Sequence, residues 1–387
     1  MTQRTVAVIG AGLAGSAMAY FLTQRGWRVD LIDQHDGPAC AASALPVGML
    51  SPHHTAQPTP MSALSKAGLP LIKSWLEQVD PTRTGWMETQ VSHWPEKREA
   101  TTPARVDSAL VLPALTLVSS WLQAAQITGL YNARWSVRVA GFIKPDQKTW
   151  LLTSDANEEI GRYSRVVICA AYGAHCWMQP LGHDLRAVAG QMTLGPAPQT
   201  PPTEHPGKCK GVYVPWFKGA NPCSSGFGVD QPVWTAGSTY RRGDATAAVL
   251  VSDHMANRAA IERTYPHHLE MFDQCHESGQ LSAWTGVRCA SVDRMPLVGP
   301  VSDDPDQQGL YSLVALGSRG LSVAGICAKA LSEWIDLGHV ECLPNDLVKT
   351  MDPRRFAYKK VLPKGHSQTR KMSPIDINHN SHSGNAV

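Results

Sequence analysis

Six residues near the N-terminus have the glycine spacing of a phosphate-binding turn. Residues 10–15 read GAGLAG, and Asp33 ends the next apolar stretch. Gly10 permits a tight turn, Gly12 lets the backbone approach a pyrophosphate, and Gly15 lets helix and strand pack closely. A helix N-terminus at this turn offers N–H groups to the phosphates, and Asp33 can accept hydrogen bonds from ribose hydroxyls. The predicted dinucleotide contacts are Gly10, Gly12, Leu13, Ala14, Gly15 and Asp33. The alternative is a glycine-rich turn that binds no ligand.

A second glycine-rich junction between a strand and a helix lies in the last quarter of the chain. Residues 316–322 read LGSRGLS. This junction is unusual for a simple NAD dehydrogenase and favours a flavin, because a helix N-terminus there can face the ring edge that gains negative charge on reduction. The predicted contacts are Gly317, Arg319, Gly320 and Leu321. The alternative is an ordinary helix start with a serine cap.

Arg288 lies in the most distinctive stretch of the sequence. Residues 284–300 read WTGVRCASVDRMPLVGP, and the arginine interrupts an otherwise apolar run between Trp284 and Cys289. A partly buried arginine requires an anionic partner, and a guanidinium binds a carboxylate through two parallel hydrogen bonds. Arg288 is therefore predicted to bind a substrate carboxylate. The alternative is a structural salt bridge to an acidic residue of the fold.

The hydrophobic pattern predicts the elements that position these residues. Thr5–Ile9 is a continuous apolar run, residues 16–24 have helical spacing, and residues 27–32 form a second strand, which together make a βαβ unit. Further strands are predicted at 165–170, 212–217 and 310–316, and further helices at 64–79, 110–125 and 322–335. Strands that alternate with helices in this way are typical of an α/β protein with a parallel sheet.

Composition narrows the class of protein. The chain has 387 residues, 43% of them hydrophobic and 17% charged, with a net charge of +3, which is typical of a globular protein that is mildly basic. The nine cysteines form no CxxC pair, which predicts reduced thiols and a cytoplasmic location. There is no signal peptide or apolar run long enough for a membrane span. The histidine pairs at 53–54 and 267–268 lack metal-site spacing, so no metal is expected.

Several of these motifs together resemble a known family. They are GAGLAG with Asp33, AVAGQ at 187–191, GSTYRRG at 237–243, GVRCASVDRMPLVG at 286–299 and LGSRGLSVAGICA at 316–328. The sequence resembles the D-amino-acid-oxidase/glycine-oxidase superfamily. More narrowly, it resembles the FAD-dependent oxidoreductase domain of the MnmC family of tRNA-modifying enzymes.

The resemblance implies an α/β fold in which a Rossmann-type FAD-binding domain is interleaved with an α+β substrate domain, as in D-amino-acid oxidase. The expected FAD-binding domain comprises residues 1–60, 105–185 and 285–345, and the expected substrate domain comprises 61–104 and 186–284. A basic C-terminal segment is expected at 346–365 and a disordered tail at 366–387.

The resemblance also implies a reaction and a set of site residues. FAD would oxidise the 5-carboxymethylaminomethyl group of a wobble uridine or 2-thiouridine in tRNA to the 5-aminomethyl group, with release of glyoxylate. Arg288 would hold the substrate carboxylate, with Tyr240 or Tyr213 assisting it by a hydrogen bond. Ser43 and Ala171 would contact FAD. Ser43 lies in an Ala-Ser-Ala triplet where the family usually has Ala-Ser-Gly.

The expected partners follow from this reaction. They are tRNA, molecular oxygen as electron acceptor, and a separate methyltransferase acting on the product, because the chain starts at the Rossmann strand. The arginine pairs at 241–242 and 354–355, with Lys359, Lys360 and Lys364, are candidates for tRNA phosphate contacts. The alternative is a solvated basic face that binds no ligand. Two other functions stay open: a small-molecule oxidase of the glycine or sarcosine type, and a non-enzymatic dinucleotide-binding protein.

Overall fold

A six-stranded sheet carries the N-terminal βαβ unit. The computed structural model describes residues 4–96 and 102–356. The strands of this sheet are β1 (Thr5–Ile9), β2 (Arg28–Ile32), β6 (Tyr131–Arg134), β10 (Arg165–Ile168), β17 (Leu297–Pro300) and β18 (Leu310–Val314). Their order is β17-β18-β10-β1-β2-β6. Neighbouring strands are parallel except β17 and β18. This is the Rossmann-type sheet that the apolar runs predict.

Nine helices occur in the described residues. They are α1 (Leu13–Gln24), α2 (Pro60–Val79), α3 (Ala114–Ile127), α4 (His175–Met178), α5 (Pro222–Ser225), α6 (Val251–Thr264), α7 (Leu269–Glu277), α8 (Gly320–Leu337) and α9 (Asn345–Met351). Helix α1 packs against α3 and α8, and α2 packs against α8. The largest hydrophobic core joins these helices to the six-stranded sheet. No helix in the described part of the chain is long and apolar enough to cross a membrane.

A larger, mostly antiparallel sheet faces the first one across the candidate site. Its strands are β3 (Gly48–Leu50), β4 (Met87–His93), β5 (Arg105–Leu112), β11 (Leu185–Pro196), β12 (Gly207–Lys208), β13 (Val212–Phe217), β14 (Val233–Gly237), β15 (Arg241–Arg242) and β16 (Ser282–Ser291). The main path is β15-β11-β14-β13-β12-β4-β5-β3, and β16 pairs with β11. A small third sheet contains β7 (Gly141–Ile143), β8 (Trp150–Thr153) and β9 (Glu159–Tyr163).

The structure corrects one predicted helix. Residues 110–125 were expected to be helical, but Leu110, Val111 and Leu112 end β5, which pairs with β3 on one side and β4 on the other. The helix starts only at Ala114, with Pro113 as its N-terminal cap residue. An apolar triplet fits either element, and the two flanking strands decide in favour of the strand.

Three strands belong to a different sheet from the one that the predicted domain limits would suggest. Strands β3, β5 and β16 belong to the nine-stranded sheet, although they lie wholly or partly in the segments assigned to the FAD-binding domain. The domain limits themselves stay a prediction. Of the predicted C-terminal segment 346–365, residues up to 356 are described; the rest of it and the predicted tail 366–387 lie outside the described residues.

Candidate FAD and substrate site

Two adjoining cavities between the two large sheets form the candidate site. Their volumes are about 240 and 430 Å³, which together fall in the range of small-molecule and cofactor sites. The residues that line both are Gly12, Ala42, Ser43, Cys169 and Ala171. Because the cavities share this wall, they form one cleft. Asp33 lies at one end of the cleft and Arg288 and Arg319 lie at the other.

The turn between β1 and α1 requires glycine at two positions. Gly10 has φ +106°, and a Cβ there would lie 2.7 Å from the carbonyl oxygen of Cys169. A Cβ on Gly15 would lie 1.7 Å from the carbonyl oxygen of Gly10. Gly10 and Gly12 line the cleft, whereas Gly15 packs beneath it. The predicted roles of the three glycines therefore match three different structural positions.

Asp33 is held at the C-terminal end of β2, facing the cleft. Its Oδ2 accepts a hydrogen bond from the Ala11 backbone N–H at 2.6 Å, and its Oδ1 accepts one from the His35 N–H at 2.9 Å. The His35 Nδ1 lies 2.7 Å from the same Oδ1. These contacts fix the carboxylate orientation at the position expected to bind ribose. The sequence reasoning missed His35, and an imidazole two residues after the acid was the available signal.

Ser43 contributes to the same region in spite of the missing glycine. It lies in a short 3₁₀ turn, Ala42–Ala44, and its Oγ accepts a hydrogen bond from the Leu13 N–H at 3.0 Å. Ser43 also lines both cavities, as does Ala171, which has φ +48°. A left-handed conformation at a residue with a side chain is strained and tends to occur at functional sites.

The second glycine-rich junction forms the other end of the cleft. Gly317 (φ +59°), Arg319, Gly320 and Leu321 line it, as do Leu13 and Ala14. Ala315, just before the junction, is also left-handed at φ +61°. No described side chain caps the N-terminus of α8, whose cap residue is Arg319. The serine-cap alternative is therefore not what the structure contains.

Arg288 points into the cleft and has no carboxylate partner among the described residues. It lies in β16, opposite Val188 of β11. Its Nη1 donates to the Thr239 carbonyl at 3.1 Å, and its Nη2 donates to the Ser238 hydroxyl. Burial lowers the pKa of this guanidinium. The described residues therefore contain no salt bridge of the kind the alternative requires, and a partly buried cation without an anionic partner favours an anionic ligand.

Tyr240 and Tyr213 lie in different places. The Tyr240 ring stacks on Arg288, with the guanidinium carbon 4.6 Å from the ring centroid, and Tyr240 is 55% exposed. The arginine end of the cleft therefore opens towards solvent. Tyr213 is fully buried in a separate core, and its hydroxyl bonds to His268 Nδ1 at 2.9 Å. The suggestion that Tyr213 assists the carboxylate site is wrong, because its side chain faces away from the cleft.

Gly190 was missed by the sequence reasoning, as were the contacts made by residues 238 and 239. A Cβ on Gly190 would lie 2.3 Å from Arg288 Nη1 and 2.4 Å from the Thr239 carbonyl oxygen. Only the hydrogen of a glycine leaves room for the guanidinium here. The motif AVAGQ contains this glycine, but its partner lies in another strand, so the sequence alone does not reveal the contact.

The side chains around Arg288 offer little acid–base chemistry. The described residues that line this cavity include no Asp, Glu, His or Lys. Two thiols are present, and burial raises the pKa of Cys289 to about 12 and that of Cys169 further still. Both thiols therefore stay protonated at neutral pH and act as apolar wall.

One group of potential metal ligands lies away from the cleft. Glu204, His267 and His268 have ligand atoms within 4.8 Å of one another. Glu204 Oε1 is 3.1 Å from His267 Nε2 and 4.0 Å from His268 Nε2. These residues also form a hydrogen-bonded cluster by themselves. The expectation of no metal in the reaction stays a prediction.

Comparison with known proteins assigns the family. The family model described as "FAD dependent oxidoreductase" (DAO) matches residues 5–146 and 107–334. The chain is 32% identical over 383 residues to the "tRNA 5-methylaminomethyl-2-thiouridine biosynthesis bifunctional protein MnmC" of Albidiferax ferrireducens, covering 92% of this chain and 59% of that protein. It is 30% identical over 407 residues to the protein of the same name from Ralstonia nicotianae, covering 93% and 61%. The chain thus spans about three fifths of the length of these relatives.

Solved structures agree on the fold. Glycine oxidase from Bacillus cereus superposes with a TM-score of 0.67 at 16% identity, covering 89% of this chain and 97% of that one. L-proline dehydrogenase from P. horikoshii gives a TM-score of 0.69 at 12% identity, covering 92% and 98%. The chain belongs to the FAD-dependent oxidoreductase family with a D-amino-acid-oxidase-like fold, and FAD is its cofactor. The glycine turn, Asp33 and the shared wall of the cleft fit this cofactor.

Proposed function

We propose that this protein oxidises the 5-carboxymethylaminomethyl group of a tRNA wobble uridine or 2-thiouridine to the 5-aminomethyl group. The observation that carries the proposal is Arg288, a cation in the cleft whose described neighbours include no carboxylate. The substrate supplies the missing carboxylate, next to the CH₂ group that is oxidised. The two relatives at 30–32% identity carry the name of a tRNA 5-methylaminomethyl-2-thiouridine biosynthesis protein, which agrees with this substrate.

In this proposal, different residues bind FAD and the substrate carboxylate. Gly10, Gly12 and the N-terminus of α1 hold the pyrophosphate of FAD, and Asp33 holds the ribose. When bound, FAD supplies a two-electron acceptor for the C–N bond of the substrate. Arg288 binds the carboxylate through its fork of N–H donors, and Tyr240 covers one face of the guanidinium.

Orientation is the main contribution of the protein to the proposed chemistry. Because no described acid, imidazole or amine lines the Arg288 cavity, the substrate amine loses its proton to solvent before oxidation. The carboxylate clamp then fixes the CH₂ group relative to the cofactor. Loss of two electrons and one proton, equivalent to a hydride, from the neutral N–CH₂ unit gives a protonated imine. Water hydrolyses it to glyoxylate and the protonated primary amine.

The remaining partners belong to the proposal as well. Molecular oxygen is the proposed final electron acceptor, and a methyltransferase is the proposed consumer of the aminomethyl product. The relatives are described as bifunctional, and this chain covers only part of their length. The cytoplasmic location expected from the cysteine pattern stays a prediction.

The test is an anaerobic reduction of the purified flavoprotein. Bleaching of the flavin spectrum by tRNA that carries the carboxymethylaminomethyl group, with formation of glyoxylate, is the expected result. Unmodified tRNA is the matched control and should leave the spectrum unchanged. Bleaching by glycine or sarcosine but not by the modified tRNA would replace the proposal with the small-molecule oxidase. A flavin that no amine reduces would favour the non-enzymatic binding protein.

A further inference from the structure

A second group of basic side chains lies beside the cleft and is distinct from Arg288. It consists of Arg319, Lys208 and His53, which we call the basic cluster. Arg319 comes from the junction before α8, Lys208 from β12, and His53 from the segment after β3. Arg319 Nη2 lies 2.8 Å from His53 Nδ1, and Lys208 Nζ lies 3.5 Å from the hydroxyl of Ser51. Three segments that are far apart in sequence therefore bring these groups together.

The basic cluster has surplus positive charge. In the described part of the chain, no carboxylate lies within salt-bridge distance of Arg319 or Lys208. The Asp107 carboxylate, which acts on Lys208 from a distance, is already 2.8 Å from Arg105, 3.0 Å from His54 and 3.1 Å from His93. The positive charge of Arg319 acts on Lys208, and an anion between them would remove the repulsion.

Burial, and after it this repulsion, lower the proton affinities of His53 and Lys208. Burial, with the charges of Arg319 and Lys208, lowers the pKa of His53 to about 4. Burial, followed by the charge of Arg319, also lowers the pKa of Lys208. His53 is therefore neutral at pH 7. Arg319 Nη2 lies closer to Nδ1 (2.8 Å) than to Nε2 (3.4 Å), which favours the tautomer with the imidazole proton on Nε2, where it can donate to a ligand.

The arginine pairs predicted from the sequence to contact phosphates differ from this cluster. Arg241 is bound by Asp244 and Asp253, Arg354 by Asp352 and Asp303, and Arg355 by Asp293. Their charges are partly compensated within the protein, which weakens the case for Arg241, Arg354 and Arg355 as tRNA phosphate contacts. That expectation, and the one for Arg242, stay predictions. Lys359, Lys360 and Lys364 lie outside the described residues.

We propose that Arg319, Lys208 and His53 bind a backbone phosphodiester of the RNA next to the modified nucleotide. This inference rests on the proposed function and names how the polymer is recognised. Arg319 lines the same cavity as Arg288, so a nucleotide whose side chain enters the cleft keeps its backbone near the cluster. An arginine fork, an ammonium and an N–H donor match the several acceptor oxygens of a phosphate.

The register of the sheet supports this placement. Lys208 pairs with Val212, and Val212 lines the cavity that contains Arg288. Paired residues project to the same face of a sheet, so the lysine lies on the face that borders the cleft. The cluster therefore borders the cleft on the side that Val212 lines.

The experiment measures RNA binding, which does not depend on oxidation. A labelled anticodon stem-loop without the modification is titrated into the holoenzyme at several salt concentrations, and fluorescence anisotropy gives Kd. Lys208→Gln is expected to raise Kd by about tenfold and to reduce the slope of log Kd against log salt by roughly 0.7–0.9. The matched control is Lys218→Gln, an exposed lysine 3.3 Å from Asp230, which should leave Kd unchanged.

Flavin content shows whether each variant is folded. His53→Asn is a second variant, and its Kd for the stem-loop is expected to rise several-fold. Equal Kd values for Lys208→Gln and the wild type, or an equal loss in Lys218→Gln, would overturn the inference while leaving the proposed oxidation intact. Wild-type protein that fails to bind the stem-loop at low salt would also overturn it. If inorganic phosphate stabilises the wild type but not Lys208→Gln and RNA does not bind, the cluster takes free phosphate and the RNA assignment is wrong.

Discussion

Replacing Arg288 by methionine should separate substrate binding from folding stability. The guanidinium is partly buried, stacks on Tyr240 and donates only to Ser238 and to the Thr239 carbonyl in the described structure. Removing one partner of a buried, hydrogen-bonded charge pair costs about 2–5 kcal/mol. The Kd of a carboxylate substrate should therefore rise by about 30-fold to several thousand-fold. FAD content should be unchanged, because the flavin-binding loops lie in other elements.

The same substitution should not weaken the fold. An unpaired buried cation is costly, so methionine of similar length should leave the free energy of unfolding unchanged or raise it by about 1 kcal/mol. Arg241 is the matched control, because it lies in β15, which also pairs with β11, and it is paired with Asp244 and Asp253. Arg241→Met should lower the free energy of unfolding by about 1–3 kcal/mol without changing substrate Kd.

The assay is anaerobic stopped-flow reduction of the flavin over a range of substrate concentrations, together with thermal unfolding of each variant. Arg288→Lys tests the geometry, because lysine retains the charge but not the fork of donors. It should bind substrate at least tenfold more weakly than the wild type. A Kd for Arg288→Met within threefold of the wild type, or a loss of stability as large as that of Arg241→Met, would refute the assignment of Arg288 as the carboxylate site.

Four further outcomes are expected. Gly190→Ala should raise substrate Kd with unchanged FAD content, because its Cβ would lie 2.3 Å from Arg288 Nη1; equal Kd values would contradict the close packing. Gly15→Ala should abolish FAD retention, since its Cβ would lie 1.7 Å from backbone, whereas Gly12→Ala should retain some FAD because it meets the Ser43 hydroxyl at 2.8 Å, which can rotate. The rate of flavin reduction should rise with pH through the pKa of the substrate amine, because no described base lines the Arg288 cavity; a profile set by a histidine would contradict this. The pKa of His53 is about 4 in the folded protein and 6.5 in the unfolded chain, so the folded protein loses stability as the pH falls from 6.5 towards 4. His53→Gln should therefore reduce the loss of stability between pH 7 and pH 5 by about 1 kcal/mol after allowance for solvent screening. Unfolding measured at the two pH values tests this.

The sequence determined the cofactor end of this protein because its signals are local. One short stretch contains the first strand, the glycine turn, the helix after it and the acid at the end of β2. Backbone geometry or hydrogen bonding requires each of these residue types. The second junction at 316–322 was recognisable for the same reason. Arg288 stood out because a charge in an apolar run needs a partner, and the absence of a described carboxylate beside it is a result of the fold.

Tertiary structure decided the residues whose roles depend on distant strands. Gly190 matters because β11 lies beside β16, and Tyr213 is excluded because alternate residues of β13 face opposite sides of the sheet. The start of α3 was set by the pairing of β5 with two neighbours. The predicted arginine pairs look like nucleic-acid contacts in sequence, but three of the arginines meet carboxylates in space, whereas Lys208 and Arg319 meet none in the described residues. The sequence gives the number of charged residues but not their partners. Whether a charge can bind a ligand depends on which opposite charges the fold brings within a few ångströms of it.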